Sequence, residues 1–489
     1  MSESGDLIID GESIRGAGGR LESHNPADGS LVWSGHAADA AQTTRAVAAA
    51  AAAWESWAER PVEQRVEVVR SFGEQLESAA DALAELISRE VGKPRWEARA
   101  EVATSRAKVE LTIRALRERR AEQAKELAGG RAELRFRPLG VVLVLGPFNF
   151  PAHLPGGQII PAILSGNAVV FKPSELTPAV GLRIVELWQR AGLPPGILNL
   201  LQGGPDVAQT VIGDPRIGGV MFTGSRRAGV AIHQQLASRP EVLLALEMGG
   251  NSPLVVASPN DPRAASGMIV ASAFVTAGQR CTCARRLIVV DDAEGQAVVE
   301  RLVERIARLR VGLPQDDPEP YIGPLISARA AEKMLDAQQQ LIAAGGVPLV
   351  EMQRSSRCPA LLSPGLVDVT SISGEREEEE LFGPLLQLEW AADFPAAVAL
   401  ASATRFGLAA ALIGGSAEQF ERFRRRVPAG VVNWNRQTTG ASGALPFGGI
   451  GHSGNHRPAG FWAIDACSDA VASVVSETVN DDEFDRSQL

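Results

Sequence analysis

The sequence predicts an α/β protein built on two parallel sheets, with a small β excursion projecting from them. Three observations carry this expectation. Between residues 141 and 246 short apolar runs alternate with helix-length segments; a second such cycle opens at Pro253; and Ala132 to Pro138 alternates polar and apolar residues between two helical regions.

Taken in order, residues 37–127 have a helical pattern, with Val62, Val66, Val69, Phe72, Leu76, Ala79, Leu83 and Leu86 recurring at three and four. The alanine run Ala48 to Ala53 fits the same scaffold, because alanine is the best helix former and lets helices pack closely. The 131–138 segment then reads as a half-solvated strand. Apolar runs at 141–145, 168–171, 197–201, 218–222 and 242–246, with helices near 155–165, 178–191, 205–212 and 226–237, read as βαβ units whose strands are buried on both faces. After Pro253 come a helix-like 262–276, a strand at 287–290, helices at 294–309 and 328–344, and strands near 385–390 and 408–413, which places a second α/β domain from about residue 250. Ala470 to Ser476 is again strand-like and suits pairing with the 131–138 excursion, while the acidic end from Asp481 to Leu489 is expected to fray. There is no internal repeat.

At 489 residues the chain suits two or three domains of about 150 residues each. An apolar fraction of 45% and a charged fraction of 22% are those of a globular protein. The net charge of −10 argues against nucleic acid or an anionic membrane as the main partner, since both are bound through clustered positive charge. Lysine is scarce, 5 of 48 basic residues, which draws attention to any lysine at a strand end. Four cysteines do not make a disulfide framework, and the first residues lack a basic and an apolar region of the secretory kind, so a reduced, cytoplasmic setting is expected. No apolar run approaches the roughly 18 residues that span a bilayer.

Candidate chemistry concentrates in a few segments. Cys281 follows a glycine-containing turn, and Glu247, 34 positions upstream, ends the run Leu243 to Leu246; a thiol and a carboxylate so placed can act as nucleophile and general base. Cys281 and Cys283 form C-x-C without a second cysteine pair or histidine cluster, which argues against a metal. Asn149 follows the first apolar run, where its amide can donate to an oxyanion or simply close an Asx-turn between prolines. Lys172 and Glu175 follow the second, as ribose ligands or as a surface ion pair. The Phe222 to Gly229 segment closes another strand and opens a helix, setting Gly224, Ser225 and backbone N–H groups where a pyrophosphate can lie, although it is not a G-x-G-x-x-G fingerprint. Glu380 ends, and Phe382 follows, a mostly acidic run, 375 to 380, that reads by itself as a solvated loop, and Pro446 to Gly449 reads as a turn.

Together these segments resemble the aldehyde dehydrogenase superfamily across nearly the whole chain, in order and spacing. The resemblance implies Cys281 as nucleophile, Glu247 as general base and Asn149 as oxyanion donor. It implies Lys172 and Glu175 at the adenosine ribose, Gly224 and Ser225 at the pyrophosphate with Gly229 beside them, Glu380 at the nicotinamide ribose and Phe382 packed beside the nicotinamide. It further implies a Rossmann-like NAD domain over 1–117 and 139–249, a catalytic domain over 250–450, and an oligomerisation arm from 118–138 and 467–480 in a homo-oligomer, dimer or tetramer. Glu247 favours hydrolysis over acyl transfer, and a carboxylate at Glu175 favours NAD over NADP.

Within the superfamily, Ala277 to Arg286 and Leu445 to Pro458 are similar to the branch that oxidises N-succinylglutamate 5-semialdehyde in arginine breakdown. That substrate carries two carboxylates besides the aldehyde, so Arg280, with Arg436 and His153 behind it, is a candidate anion partner, each equally suited to a structural salt bridge or hydrogen bond. Ala459 to Cys467 is poorer in tyrosine than that branch implies. Two other readings stand beside this one: a dehydrogenase of another anionic semialdehyde with NAD or NADP, and a binding or structural protein that keeps the fold. Loss of Cys281 or Glu247 would favour the last, and both are present.

Overall fold

The computed structural model describes residues 6–127, 130–372 and 378–479. The expected fraying of 481–489, and residues 375–377 of the acidic run, lie outside the described residues.

Two seven-stranded sheets dominate. In the first, Leu243–Met248, Ile217–Gly224, Val141–Leu145, Ala168–Lys172 and Leu198–Leu200 run parallel in that spatial order, and the N-terminal hairpin Leu7–Ile9 and Glu12–Ile14 extends the edge antiparallel. The chain starts the parallel part at Val141–Leu145, steps outward twice, then returns to the other side. That reversal opens a crevice at the strands' carboxyl ends, where α/β folds bind ligands. Every residue of Val141–Leu145 and Ala168–Lys172 is buried, which is why 141–145 and 168–171 read as unbroken apolar runs.

Four helices, Ala40–Ala58, Val62–Ser78, Ala80–Val91 and Arg95–Arg119, fill the 37–119 region. The first is capped by Asp39 and Gln42 in a capping box. The predicted helical face buries Val66, Val69, Phe72 and Leu76, and Phe72 stacks on Trp188 of the helix Pro178–Arg190, ring centres 3.9 Å apart. The helical reading of 123–127 is corrected: Gln123–Leu127 is an exposed edge strand, and the arm therefore begins after Arg119. Strands between residues 7 and 36 were not anticipated; they are short, and the 3- to 6-residue pieces alternate too little to stand out.

The second sheet orders Val347–Val350, Gly365–Asp368, Leu385–Ala391, Ala284–Val290, Ser252–Ala257, Ala409–Gly414 and Val431–Trp434, all parallel except the first. Along Ser252–Ala257, Leu254 and Val256 enter one core and Val255 and Ala257 the other, the two-residue period of a strand covered on both faces. The helix expected at 262–276 ends at Ala273, followed by a tight turn at Val275–Gly278. Ser468–Val475 pairs antiparallel with Gly130–Pro138, as the alternating pattern implied, and Gln123–Leu127 completes this three-stranded arm.

Candidate active site

A cavity of about 640 Å³ lies between the carboxyl edge of the first sheet and the amino edge of the second. Its walls come from the segments after four strands of the first sheet, around Asn149, Lys172, Gly224 and Glu247, and from Cys281 and Glu380 leading into strands of the second. Its volume suits a cofactor-sized ligand.

Cys281 is half-buried and faces this cavity. The turn before it is left-handed at three successive residues, with φ of 58° at Thr276, 52° at Ala277 and 72° at Gly278. Glycine tolerates that region; threonine and alanine are strained in it, as happens where a surrounding structure fixes a functional side chain. A Cβ at Gly278 would collide with Gly383 O, so the thiol's turn is locked against the loop that carries Glu380. Arg285 fastens the same joint, donating to Arg280 O at 3.0 Å and to Gly383 O at 3.4 Å. Burial pushes the Cys281 thiol well above its usual value, and the Glu247 and Glu380 carboxyls add to this while Arg285 opposes it.

Glu247 lies near the end of Leu243–Met248, buried, with Oε1 left without a hydrogen-bond partner. Burial raises its carboxyl well above the usual carboxylate range, offset in part by Arg457 and Lys108. The turn at Pro446 to Gly449 supports it: a Cβ at Gly448 would overlap Glu247 Oε1, so this turn, unremarkable in sequence, is shaped around the carboxylate. Asn149 is buried and donates one Nδ2 hydrogen to Gln279 O at 2.8 Å, bridging the two sheets' loops and leaving its second amide hydrogen.

At the far end, Lys172 Nζ donates to Pro173 O at 2.7 Å and Gly203 O at 2.9 Å and lies 3.9 Å from the Glu175 carboxylate. Ser225 caps the helix Arg226–Leu236, accepting from Ala228 N at 3.3 Å, so its hydroxyl and Gly224 meet the cavity at a helix N-terminus. Between this helix and Pro205–Ile212, Ala208, Ile212, Ala231 and Ile232 line an apolar slot that no motif announced. Gly229 lies behind the wall; a Cβ there would collide with Met248 Sδ, so it serves close helix–strand packing.

Glu380 turns inward from the acidic run rather than into solvent, accepting from Gly250 N at 3.1 Å, while Glu378 pairs with Arg405 at 3.0 Å. Burial raises the Glu380 carboxyl to about 7, with Arg285 pulling against it. Phe382 meets Phe148 edge to face at 5.9 Å.

The three candidate anion partners do not line the cavity. Arg280 is spent inward, on Glu97 at 2.9 Å and Thr276 Oγ1 at 2.7 Å, and stacks over Phe150. His153 is held neutral, because burial and then Lys108, Lys93 and Arg280 push its pKa well below the usual value. Arg436 is exposed. The cavity does hold a cation that the motifs missed, Lys108 on the helix Arg95–Arg119.

The sequence profile of the aldehyde dehydrogenase family matches residues 14–472. The N-succinylglutamate 5-semialdehyde dehydrogenase of Chromobacterium violaceum is 48% identical over 473 residues, 97% of either chain, and that of Pseudomonas fluorescens 48% identical over 468 residues, 96% of either. Among solved structures, an NAD-dependent aldehyde dehydrogenase from Sinorhizobium meliloti superposes with a TM-score of 0.91 at 29% identity, covering 98% of this chain and 96% of that one. The NADP-dependent glyceraldehyde-3-phosphate dehydrogenase from Bacillus halodurans, complexed with NADP, superposes with a TM-score of 0.90 at 27% identity, covering 97% and 100%. With a thiol, a carboxyl and a side-chain amide lining one cavity, and a family profile matched over almost its whole length, the chain belongs to the aldehyde dehydrogenase family.

Proposed function

We propose that this protein oxidises N-succinyl-L-glutamate 5-semialdehyde to N-succinyl-L-glutamate with NAD, a step of arginine breakdown, and releases the acid by hydrolysis. The observation that carries the chemistry is that Cys281, Asn149 and Glu247 line one cavity whose far end holds Lys172, Glu175 and Ser225. Near full-length identity to relatives of that name supports the substrate.

The donor set fits NAD. Lys172 and the Glu175 carboxylate would take the adenosine ribose hydroxyls, and that carboxylate repels the 2′-phosphate of NADP. The Ser225 helix N-terminus would take the pyrophosphate, the slot between Ala208 and Ile232 a flat purine, and the Glu380 carboxyl the second ribose. When bound, NAD supplies the hydride acceptor that turns an aldehyde adduct into an acyl group.

Cys281, as its thiolate with the thiol proton released to solvent water, would attack the aldehyde carbon, the carbonyl π electrons moving to its oxygen as negative charge. The free Asn149 amide hydrogen and a backbone N–H near Cys281 would hold that oxyanion. Oxidation leaves a thioester on Cys281, and Glu247, made a stronger base by burial, takes a proton from the water that cleaves it. The first-sheet lobe would then be the nucleotide domain and the second the catalytic one. Gln123–Leu127, Gly130–Pro138 and Ser468–Val475 would form the contact between copies in a homo-oligomer. Four free cysteines suit the cytoplasm, and among the described residues no helix is long and apolar enough to cross a membrane.

The test is kcat/KM with NAD for N-succinylglutamate semialdehyde, glutamate semialdehyde and succinate semialdehyde. A preference of about 10- to 100-fold for the first is expected, the size of a few added polar contacts. Equal turnover of all three would remove the substrate assignment.

A further inference from the structure

An anionic aldehyde entering this cavity meets two carboxyls, Glu247 and Glu380, beside the thiol. Coulomb repulsion would keep it out unless a cation faces the same space. Of the cations grouped behind the cavity, Arg280 is paired with Glu97, and Lys93 is buried against Glu101 at 2.6 Å, where it also lies over the Phe150 ring. The Glu101 carboxylate additionally accepts from the Ala152 and His153 N–H groups. These charges are neutralised within the protein, and Arg457, which faces Glu247, does not line the cavity.

Three of the five lysines do line it. Lys172 is pinned by two carbonyls and Glu175 at the nucleotide end, and Lys333 is exposed on the helix Ala328–Ala343. Lys108 is half-buried on Arg95–Arg119, and among the described residues its ammonium has no hydrogen-bond or ion-pair partner. It reaches over Gly157 in the cavity wall, where a Cβ would oblige the flexible ammonium to shift, so glycine leaves it this position. Burial pulls this ammonium down to about 8, against the attraction of Glu247, which is the expected state of a cation that lacks a close counter-ion.

We propose that Lys108 is the receptor for a carboxylate of the semialdehyde substrate, and thereby the residue that selects anionic aldehydes over neutral ones. The proposal rests on the dehydrogenase reading above and assigns the charge recognition that Arg280, Arg436 and His153 do not supply from their positions. A bound carboxylate would give the ammonium the charge-assisted hydrogen bond it lacks and hold the substrate's charge away from Glu247.

The experiment compares wild type, Lys108→Met and Lys108→Arg on N-succinylglutamate semialdehyde, succinate semialdehyde and the neutral aldehyde butanal, with NAD affinity measured in parallel. In Lys108→Met, kcat/KM for the two carboxylate aldehydes is expected to fall about 10- to 100-fold, mainly through KM, and at least about tenfold more than for butanal. Lys108→Arg should recover part of the loss, and NAD affinity should hold. An equal loss on charged and neutral aldehydes, or no loss on any, overturns the proposal. Wild-type preference between the succinylated and unsuccinylated aldehydes judges the substrate; the charged-to-neutral ratio in Lys108→Met judges the lysine, so the two can fail separately.

Discussion

At the scale of single residues, the Glu247 carboxyl adds to the cost that burial sets on ionising the Cys281 thiol, because both line one low-dielectric cavity and carry like charge in their ionised forms. If Glu247 serves the water that cleaves the thioester, Glu247→Gln should spare the first turnover and block the next. The expected result is a burst of one reduced nicotinamide per subunit, followed by a steady state slower by about 10²- to 10⁴-fold, the usual worth of a general base. The same change removes a neighbouring negative charge, so the thiol should ionise at lower pH. Alkylation of Cys281 by iodoacetamide, followed against pH, should show its midpoint moving down in Glu247→Gln. A variant without a burst, or with an unmoved midpoint, would place Glu247 elsewhere in the cycle. Cys281, Glu247 and Asn149 were legible in the sequence because each stands beside glycines or prolines next to an apolar run, where strand ends project side chains into a crevice. Lys108 was not, because it lies within a long helix whose pattern speaks only of packing, and Gly157, the wall residue its ammonium lies over, belongs to a different helix.

Among the elements, the helix Pro178–Arg190 sets the place of the cavity end proposed above for the nucleotide, since it begins directly after the Lys172 to Glu175 segment. Its own N-cap, Thr177, makes no side-chain bond to it. The cap comes instead from Glu90 of the helix Ala80–Val91, whose carboxylate accepts from Ala179 N at 3.0 Å, Val180 N at 2.9 Å and Ser23 Oγ at 2.5 Å. One carboxyl therefore joins a strand and two helices, a long-range cap that no local capping pattern could reveal. Burial lifts this carboxyl to about 7, and the three hydrogen bonds only partly offset that. A carboxyl raised on folding binds more protons in the native than in the unfolded state, so its contribution is full below the unfolded value near about 4.5 and is lost as pH rises to about 7. Wild type should therefore lose thermal stability relative to Glu90→Gln as pH is raised across that window, in paired melts. A difference that stays flat with pH would show that Glu90 is ionised in the native protein throughout.

Across the whole molecule, the two parallel sheets were readable because strands covered on both faces must be apolar end to end, a pattern that survives without any alignment. Leu7–Ile9 escaped notice because a buried strand of three residues is too short for a pattern to stand out, and the edge strands Glu12–Ile14 and Val347–Val350 because they are short and largely exposed. The arm was legible as a pairing of 131–138 with the tail, but its third strand, Gln123–Leu127, continued a helical stretch in sequence and broke away only in three dimensions. This arm has a consequence for assembly. A three-stranded sheet that projects from the body cannot bury its own faces. Its exposed apolar groups fall on both sides: Val474, at 77% exposure, and, two-residue period reversed, Val471 and Val475 at 39% and 38%. Such a surface is stable in water when a second copy covers it. Val474→Asp would place a charge in the contact between copies proposed above, costing about 3 kcal/mol, or roughly 100-fold in association. Light scattering on the eluting protein should then show a smaller assembly for the variant than for wild type, with circular dichroism unchanged because Val474 packs on nothing within its own chain that the fold requires. A wild-type protein that elutes as a monomer, or a variant of unaltered mass, would move the contact between copies off this sheet.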